Sequence, residues 1–151
     1  MHECRDTLFQ SIIFKFNASG AGKQKKTPRI TCRFQLRPMI EKYSFGHIVI
    51  NGKSYNSDLL VFPDGSVHDN WRRKQGHKLL LEDLVELVAQ QPEIIIAGTG
   101  AYGIMKPEKN LDTELSVKGI ELRCAPSKKA VEIYNKLLSD KKAGACFHLT
   151  C

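Results

Sequence analysis

The chain lacks any apolar run near the roughly 18 residues that a membrane-spanning helix requires, so it is expected to be soluble. It also lacks a disulfide framework. Its five cysteines are odd in number and irregularly spaced, a pattern that suits a reducing compartment. Eleven glycines and six prolines among 42% apolar and 26% charged residues exclude collagen-like, low-complexity and globally disordered chains. What remains is enough apolar material for one core, in a length of 151 residues that suits a single domain of ~100–200.

The formal net charge of +7 is concentrated at one end. Residues 1–38 hold eight basic side chains (Arg5, Lys15, Lys23, Lys25, Lys26, Arg29, Arg33 and Arg37) against Glu3 and Asp6, a net of +6. Residues 39–151 hold fifteen basic and fourteen acidic side chains, a net of +1. This larger part has no basic stripe of the kind that phosphate backbones require, so nucleic acid is not the expected partner. The leader is polar and rich in Gly, Ser and Lys from Asn17 to Pro28, and its apolar patch, Ile12 to Phe16, is too short for a secretory signal. Three origins are open for it: a mitochondrial transit peptide, against which Glu3 and Asp6 count; a basic arm for an anionic partner; or an over-extended reading frame whose natural start is Met39. We favour the last. Residues 1–38 are thus expected to be a disordered leader or a misassigned start, and residues 39–151 one domain.

The first half of that domain reads as short strands. His47-Ile48-Val49-Ile50 runs into Asn51-Gly52, a strong hairpin signal because both residues tolerate positive φ, and Lys53–Ser57 returns. Leu59–Phe62, the turn Pro63-Asp64-Gly65, and Ser66-Val67-His68 continue an antiparallel meander. The second half changes period. Glu82–Gln90 places Leu84, Val85, Leu87 and Val88 on one helical face before Pro92, and Glu93–Ala97 is a strand apolar on both faces. A short helix capped by Asp112 or Thr113 ends at Gly119, and Ile120–Cys124 is the next strand. Ser127 caps the longest helix, with Ala130, Val131, Tyr134, Leu137 and Leu138 as its core stripe, and Ala145–Leu149 closes the domain as a strand. Alternating strands and helices imply crossovers and a mostly parallel sheet, so the expected fold is α/β with a β-meander in front.

Three clusters carry candidate chemistry. Gly98-Thr99-Gly100-Ala101-Tyr102-Gly103 matches G-x-G-x-x-G after a strand, but Pro107 follows too soon for the helix that phosphate binding needs. Arg123 and Cys124 stand where an acid would hold a ribose. The glycines therefore serve a tight strand exit, a small anion-cradling loop, or a dinucleotide site, and we favour the first. Trp71-Arg72-Arg73 with Gly76-His77 is either a lid with solvated charges or an edge that recognises carboxylate, phosphate or a protein partner. Cys146-Phe147-His148-Leu149-Thr150-Cys151 ends the chain. On a strand, Cys146, His148 and Thr150 share one face and Cys151 falls on the other, and no fourth ligand is near in sequence, so no metal is assigned. A thiol nucleophile would need His77 or His148 within reach, which sequence does not show. If the three late strands are parallel, Gly98-Thr99-Gly100, Cys124-Ala125 and Thr150-Cys151 share the carboxyl edge where open α/β sheets place ligands.

These segments, taken in order, resemble a known family. Tyr43-x-Phe45-Gly46-x-Ile48-x-Ile50-x-Gly52-x-x-Tyr55 is followed by Trp71-x-Arg73 with Gly76-His77, then by Ile94-Ile95-Ile96-x-Gly98-Thr99-Gly100. Ala130-x-x-x-Tyr134-Asn135-x-Leu137 and the ending Phe147-His148-x-Thr150-Cys151 complete the set. Together they resemble the small archaeal Mth-type domain family, over about Ile40 to Cys151. Its animal members include an adipogenesis-associated protein and a mitochondrial complex I assembly factor. The resemblance implies a three-layer α/β domain with a mixed sheet, in the cytoplasm, with assembly or regulatory roles and no established cofactor or catalytic residue. A mitochondrial location is the alternative, should residues 1–38 act as a transit peptide.

Two functions follow as expectations. The first is a non-catalytic interaction domain that presents Trp71, Arg72 and Arg73 to a protein partner. The second is a small-anion-binding protein or enzyme in which Gly98, Thr99 and Gly100 cradle a phosphate or carboxylate, Arg72 or Arg73 pairs with it, and His77, His148 or Cys151 supplies proton or thiol chemistry.

Overall fold

The structure, a computed structural model, describes residues 37–151, so the leader up to residue 36 lies outside the described residues. Strands β1 (Ile40–Ser44), β2 (His47–Ile50) and β3 (Lys53–Tyr55) form a three-stranded antiparallel meander. The Asn51-Gly52 turn works as its residue types require, with φ of 49° and 76°. Sequence patterning missed β1, whose alternation is weak. It is held at its start by Asn135, which accepts from the Ile40 amide at 3.0 Å and donates to the Ile40 carbonyl at 2.7 Å.

The second hairpin, β4 (Leu59–Val61) with β5 (Val67–His68), leaves this meander and joins another sheet. The reason is burial: all three residues of β4 are buried, and such a strand needs cover on both faces. It pairs antiparallel with β10 (Ala143–His148), which pairs parallel with β7 (Ile94–Thr99), which in turn pairs parallel with β9 (Glu121–Ala125). The order is β5-β4-β10-β7-β9. A two-residue parallel bridge between β6 (Lys78–Leu79) and β8 (Lys106–Pro107) lies apart.

Alternation sorts the strands of the five-stranded sheet into two cores. Leu59, Val61, Ile94, Ile96, Ala145 and Phe147 face α3 (Ser127–Leu137) and the meander. Leu60, Ile95, Ala97 and Cys146 face Leu84 and Leu87 of the first helical segment, Leu111 and Leu115 of α2 (Leu111–Val117), and Trp71. Three layers result. The first helical segment departs from expectation. Leu81–Leu84 is a 3-10 turn that becomes α1 (Val85–Ala89), so Leu81, Leu84 and Leu87 align at a spacing of three and Val85 turns outward. Ser127 does not cap α3 by its side chain: Pro126 is the cap residue, and the Ser127 hydroxyl is committed to the sheet edge. No side chain caps α2 either, although Gly119 follows it at φ 74° as its residue type favours. Among the described residues, no helix is long and apolar enough to cross a membrane.

Candidate functional site at the carboxyl edge

Because β10 runs parallel to β7 and β9, the three late strands end at one edge, and Thr150-Cys151 joins Gly98-Thr99-Gly100 there. The antiparallel β4 begins at the same edge. Its register sets Leu59 against Phe147, which brings Asp58 beside His148.

Asp58 is the hub. One carboxylate oxygen accepts from the Leu149 amide at 2.9 Å. The other accepts from His148 Nδ1 at 2.7 Å and from Arg73 at 2.8 Å. The side chains of Arg73 and His148 are both only 7% exposed, so this is a buried ion pair with a histidine attached. Arg73 also donates through Nε to the Gly76 carbonyl at 2.9 Å, and its guanidinium stacks 5.1 Å from the centroid of Trp71. Trp71 is core, not surface. It is 8% exposed, its indole donates to the Asp83 carbonyl at 3.0 Å, and its amide donates to the Asp58 carbonyl at 2.8 Å. The expectation that Trp71 meets a partner is therefore corrected: an indole that fills the second core has little face left for one.

The Asp58 contact fixes the tautomer of His148. Arg73 Nη2 lies 3.3 Å from the same Nδ1, but a carboxylate oxygen at 2.7 Å demands a proton on that nitrogen. In the neutral ring Nε2 then carries the lone pair, and it is buried with no hydrogen-bond partner among the described residues. The His77 ring meets the His148 ring edge-on with centroids 6.0 Å apart. His77, His148 and Cys151 each offer a ligand atom within 4.8 Å of the others. Face alternation was expected to split His148 from Cys151, but it applies only while the strand lasts. β10 stops at His148, and Cys151 adopts a φ of 54°. Cys146, by contrast, is fully buried on the second core, where burial pushes its thiol up, so it takes no part in this group.

The glycine loop is differently spent. A Cβ on Gly98 would lie 2.5 Å from Phe147 and 2.9 Å from the Ser127 hydroxyl, so Gly98 permits close packing. Gly100, at φ 98°, leaves no room between the carbonyls of Thr150 and Cys151, at 2.4 and 2.5 Å from its would-be Cβ. The loop amides donate inward: Gly100 to Ser127 Oγ, Ala101 to the Thr150 carbonyl, Gly103 to the Gly100 carbonyl. No helix opens behind them, and Thr99 is buried. Beside this loop lies a cleft of about 340 Å³, lined mainly by Thr99, Tyr102, Met105, Cys124 and Pro126.

Of the residues nominated from sequence, Arg73, His77, His148 and Cys151 come together, and the Gly98–Gly100 loop borders them. Arg72 is exposed and stands outside the hydrogen bonds of the cluster. Sequence reasoning missed Asp58 and Asp83. Asp83 accepts from the amides of Lys74 and Leu80 and so secures the loop that carries Arg73. Nothing local distinguishes Asp58. Its signal appears only once β4 is paired with β10.

A three-layer α/β domain with a mixed sheet and a buried polar corner at its carboxyl edge is the class these observations define. Within that class, a family model described as "Protein of unknown function (DUF498/DUF598)" matches residues 40–148, and the chain belongs to that family. Solved structures agree. A protein named MT938 is 31% identical, with a TM-score of 0.64, and the match covers 76% of this chain and 99% of that one. A conserved hypothetical protein of Pyrococcus horikoshii is 26% identical with a TM-score of 0.66, over 74% of this chain and 98% of its own. A Bordetella pertussis protein described as an Mth938-like domain shares the fold at 14% identity and a TM-score of 0.57, over 74% and 85%. The Mth-type family and its mixed α/β fold are thereby established for this chain.

Proposed function

We propose that this domain is a protein-interaction module of an assembly or regulatory kind, with no reaction of its own, and that it works in the cytoplasm. One observation carries the proposal: Phe45 and Tyr102, from loops far apart in sequence, pair on the surface with ring centroids 6.5 Å apart while remaining 61% and 78% exposed. Two exposed aromatic rings beside a cleft are a strong anchor for a partner side chain, because aromatic groups dominate the binding energy of interfaces. Tyr102 itself lines the cleft of about 340 Å³, so a partner that stacks on the rings reaches the cavity as well. The contact surface is thus moved from Trp71 to the Phe45–Tyr102 rim.

The test is site-specific photo-crosslinking in cells, with the reactive group at position 102 and, as control, at position 117, where Val117 is 82% exposed. A discrete cross-linked partner from position 102, lost in Phe45→Asp at unchanged melting temperature, is the expected result. The same products from both positions would overturn the reading.

A second reading, binding of a small anion, rests on the exposed Arg72, next in sequence to Arg73, and on the exposed His77. With the amides of Gly100 and Ala101 committed inward, the anion would meet side chains and not the backbone. Phosphate and carboxylates at 100 times their dissociation constant would then add about 2.7 kcal/mol of stability. A flat response counts against this reading.

A further inference from the structure

We propose that His77, His148 and Cys151 form a binding site for a borderline-soft divalent cation of the zinc class, with Asp58 as the carboxylate that orients His148. The proposal is independent of the interaction reading.

The first support is the unpartnered nitrogen. A buried polar atom left without a hydrogen bond costs about 1–3 kcal/mol, and folded proteins seldom leave one without a use. His148 is 6% exposed, and its Nε2 has no partner among the described residues. The second support is the device that presents this nitrogen. A histidine that ligates a metal through one nitrogen commonly donates its other N–H to a carboxylate, which fixes both ring and tautomer. Asp58 does this at 2.7 Å, and is itself held by Arg73 and the Leu149 amide. The third support is convergence. The imidazole of His77 from the loop before β6 and the thiol of Cys151 from beyond β10 bring nitrogen and sulfur donors to the same place, 4.8 Å or less apart.

Chemistry and geometry both select the ion. Two imidazoles and a thiolate suit zinc, and sulfur disfavours magnesium or calcium. Bonds of about 2.0–2.1 Å to nitrogen and about 2.3 Å to sulfur put tetrahedral ligand atoms about 3.3–3.6 Å apart. The widest separation in the group, up to 4.8 Å, must therefore shorten by about 1.2–1.5 Å. The exposed His77 and the partly exposed Cys151 are free to make that movement, whereas His148 is clamped. Gly100 makes the approach possible: its would-be Cβ falls 3.0 Å from His148 Cδ2 and 2.5 Å from the Cys151 carbonyl. Cys151 gives up its thiol proton on binding. Three protein ligands leave a fourth position for water or for a donor from another molecule.

The test is titration of the full chain with Co²⁺, whose thiolate charge-transfer and tetrahedral d–d bands report the ligands directly, followed by displacement with Zn²⁺. One Co²⁺ per chain with both bands is expected, and Zn²⁺ should abolish them. The Cys4→Ser/Cys32→Ser variant should keep the signal, because the proposed thiolate is that of Cys151. Cys151→Ser should remove the charge-transfer band, and His77→Ala should weaken binding by at least about tenfold. Neither of these last two substitutions removes a core residue. Absence of one-to-one binding, or a charge-transfer band that survives Cys151→Ser, would overturn the proposal.

Discussion

The two halves of the carboxyl edge use the same resources to opposite ends. On the β7–β9 side, a glycine-rich loop that looks functional has its amides bonded inward and its glycines filled by neighbouring atoms. On the β4–β10 side, an unremarked aspartate gathers an arginine, a histidine and a strand-end amide into a buried corner with one nitrogen left unpaired. A loop motif is chemistry only if its donors point outward. A buried ion pair, in turn, becomes informative when it orients a group that it does not satisfy.

Substitutions on each side sharpen the contrast. The largest effect is expected at Asp58: Asp58→Ala strands Arg73, His148 and the Leu149 amide, and breaking a buried pair on one side costs about 3–5 kcal/mol. Denaturant unfolding measures it. A cost below about 1 kcal/mol would reduce the corner to an ordinary surface pair. Trp71→Ala should cost about 3 kcal/mol or more, because it empties part of the second core and frees the guanidinium stacked upon it. If stability held while partner binding vanished, Trp71 would return to the surface. Gly100→Ala should cost about 2–3 kcal/mol, since the added methyl meets backbone carbonyls at a positive φ. Phosphate should not restore that loss.

The smallest effect lies at the other end of β9, where Glu121 pairs with Lys141 at 2.8 Å and Arg123 at 2.7 Å. The Lys141 and Arg123 hydrogen bonds hold its carboxyl below the usual carboxylate range. A carboxyl whose folded pKa is lowered contributes stability above its unfolded value, and that contribution is lost as the pH falls through the folded value. Glu121→Gln should therefore lower the melting temperature slightly at neutral pH, with the difference from the parent closing in acid. Solvent screens this exposed pair, so a large difference at neutral pH would be unexpected.

Much of the architecture was legible in sequence because burial writes itself in period. The doubly apolar Ile94-Ile95-Ile96, the Asn51-Gly52 turn and the stripe of α3 each carry a local physical signature, and each element stands where that signature puts it. Strands as short as β6 and β8 carry none, and β1 is held by Asn135 from a helix far along the chain. The site was half legible. His148 and Cys151 stand out by residue type, but strand alternation parts them, and only the end of β10 and the backbone turn at Cys151 bring them back together. Asp58 acquires its meaning from the register of β4 on β10, a long-range pairing that no local window contains. Trp71 misled for the opposite reason: a lone tryptophan among arginines reads as surface until its indole finds a buried carbonyl.

The most direct measurement is the tautomeric state of His148 in the full-length protein, read from long-range proton–nitrogen NMR correlations of its imidazole at neutral pH. A proton fixed on Nδ1 is the result expected from the Asp58 contact at 2.7 Å. A proton on Nε2 with Nδ1 unprotonated would mean that Asp58 does not orient the ring, and the corner would lose its claim to be a site.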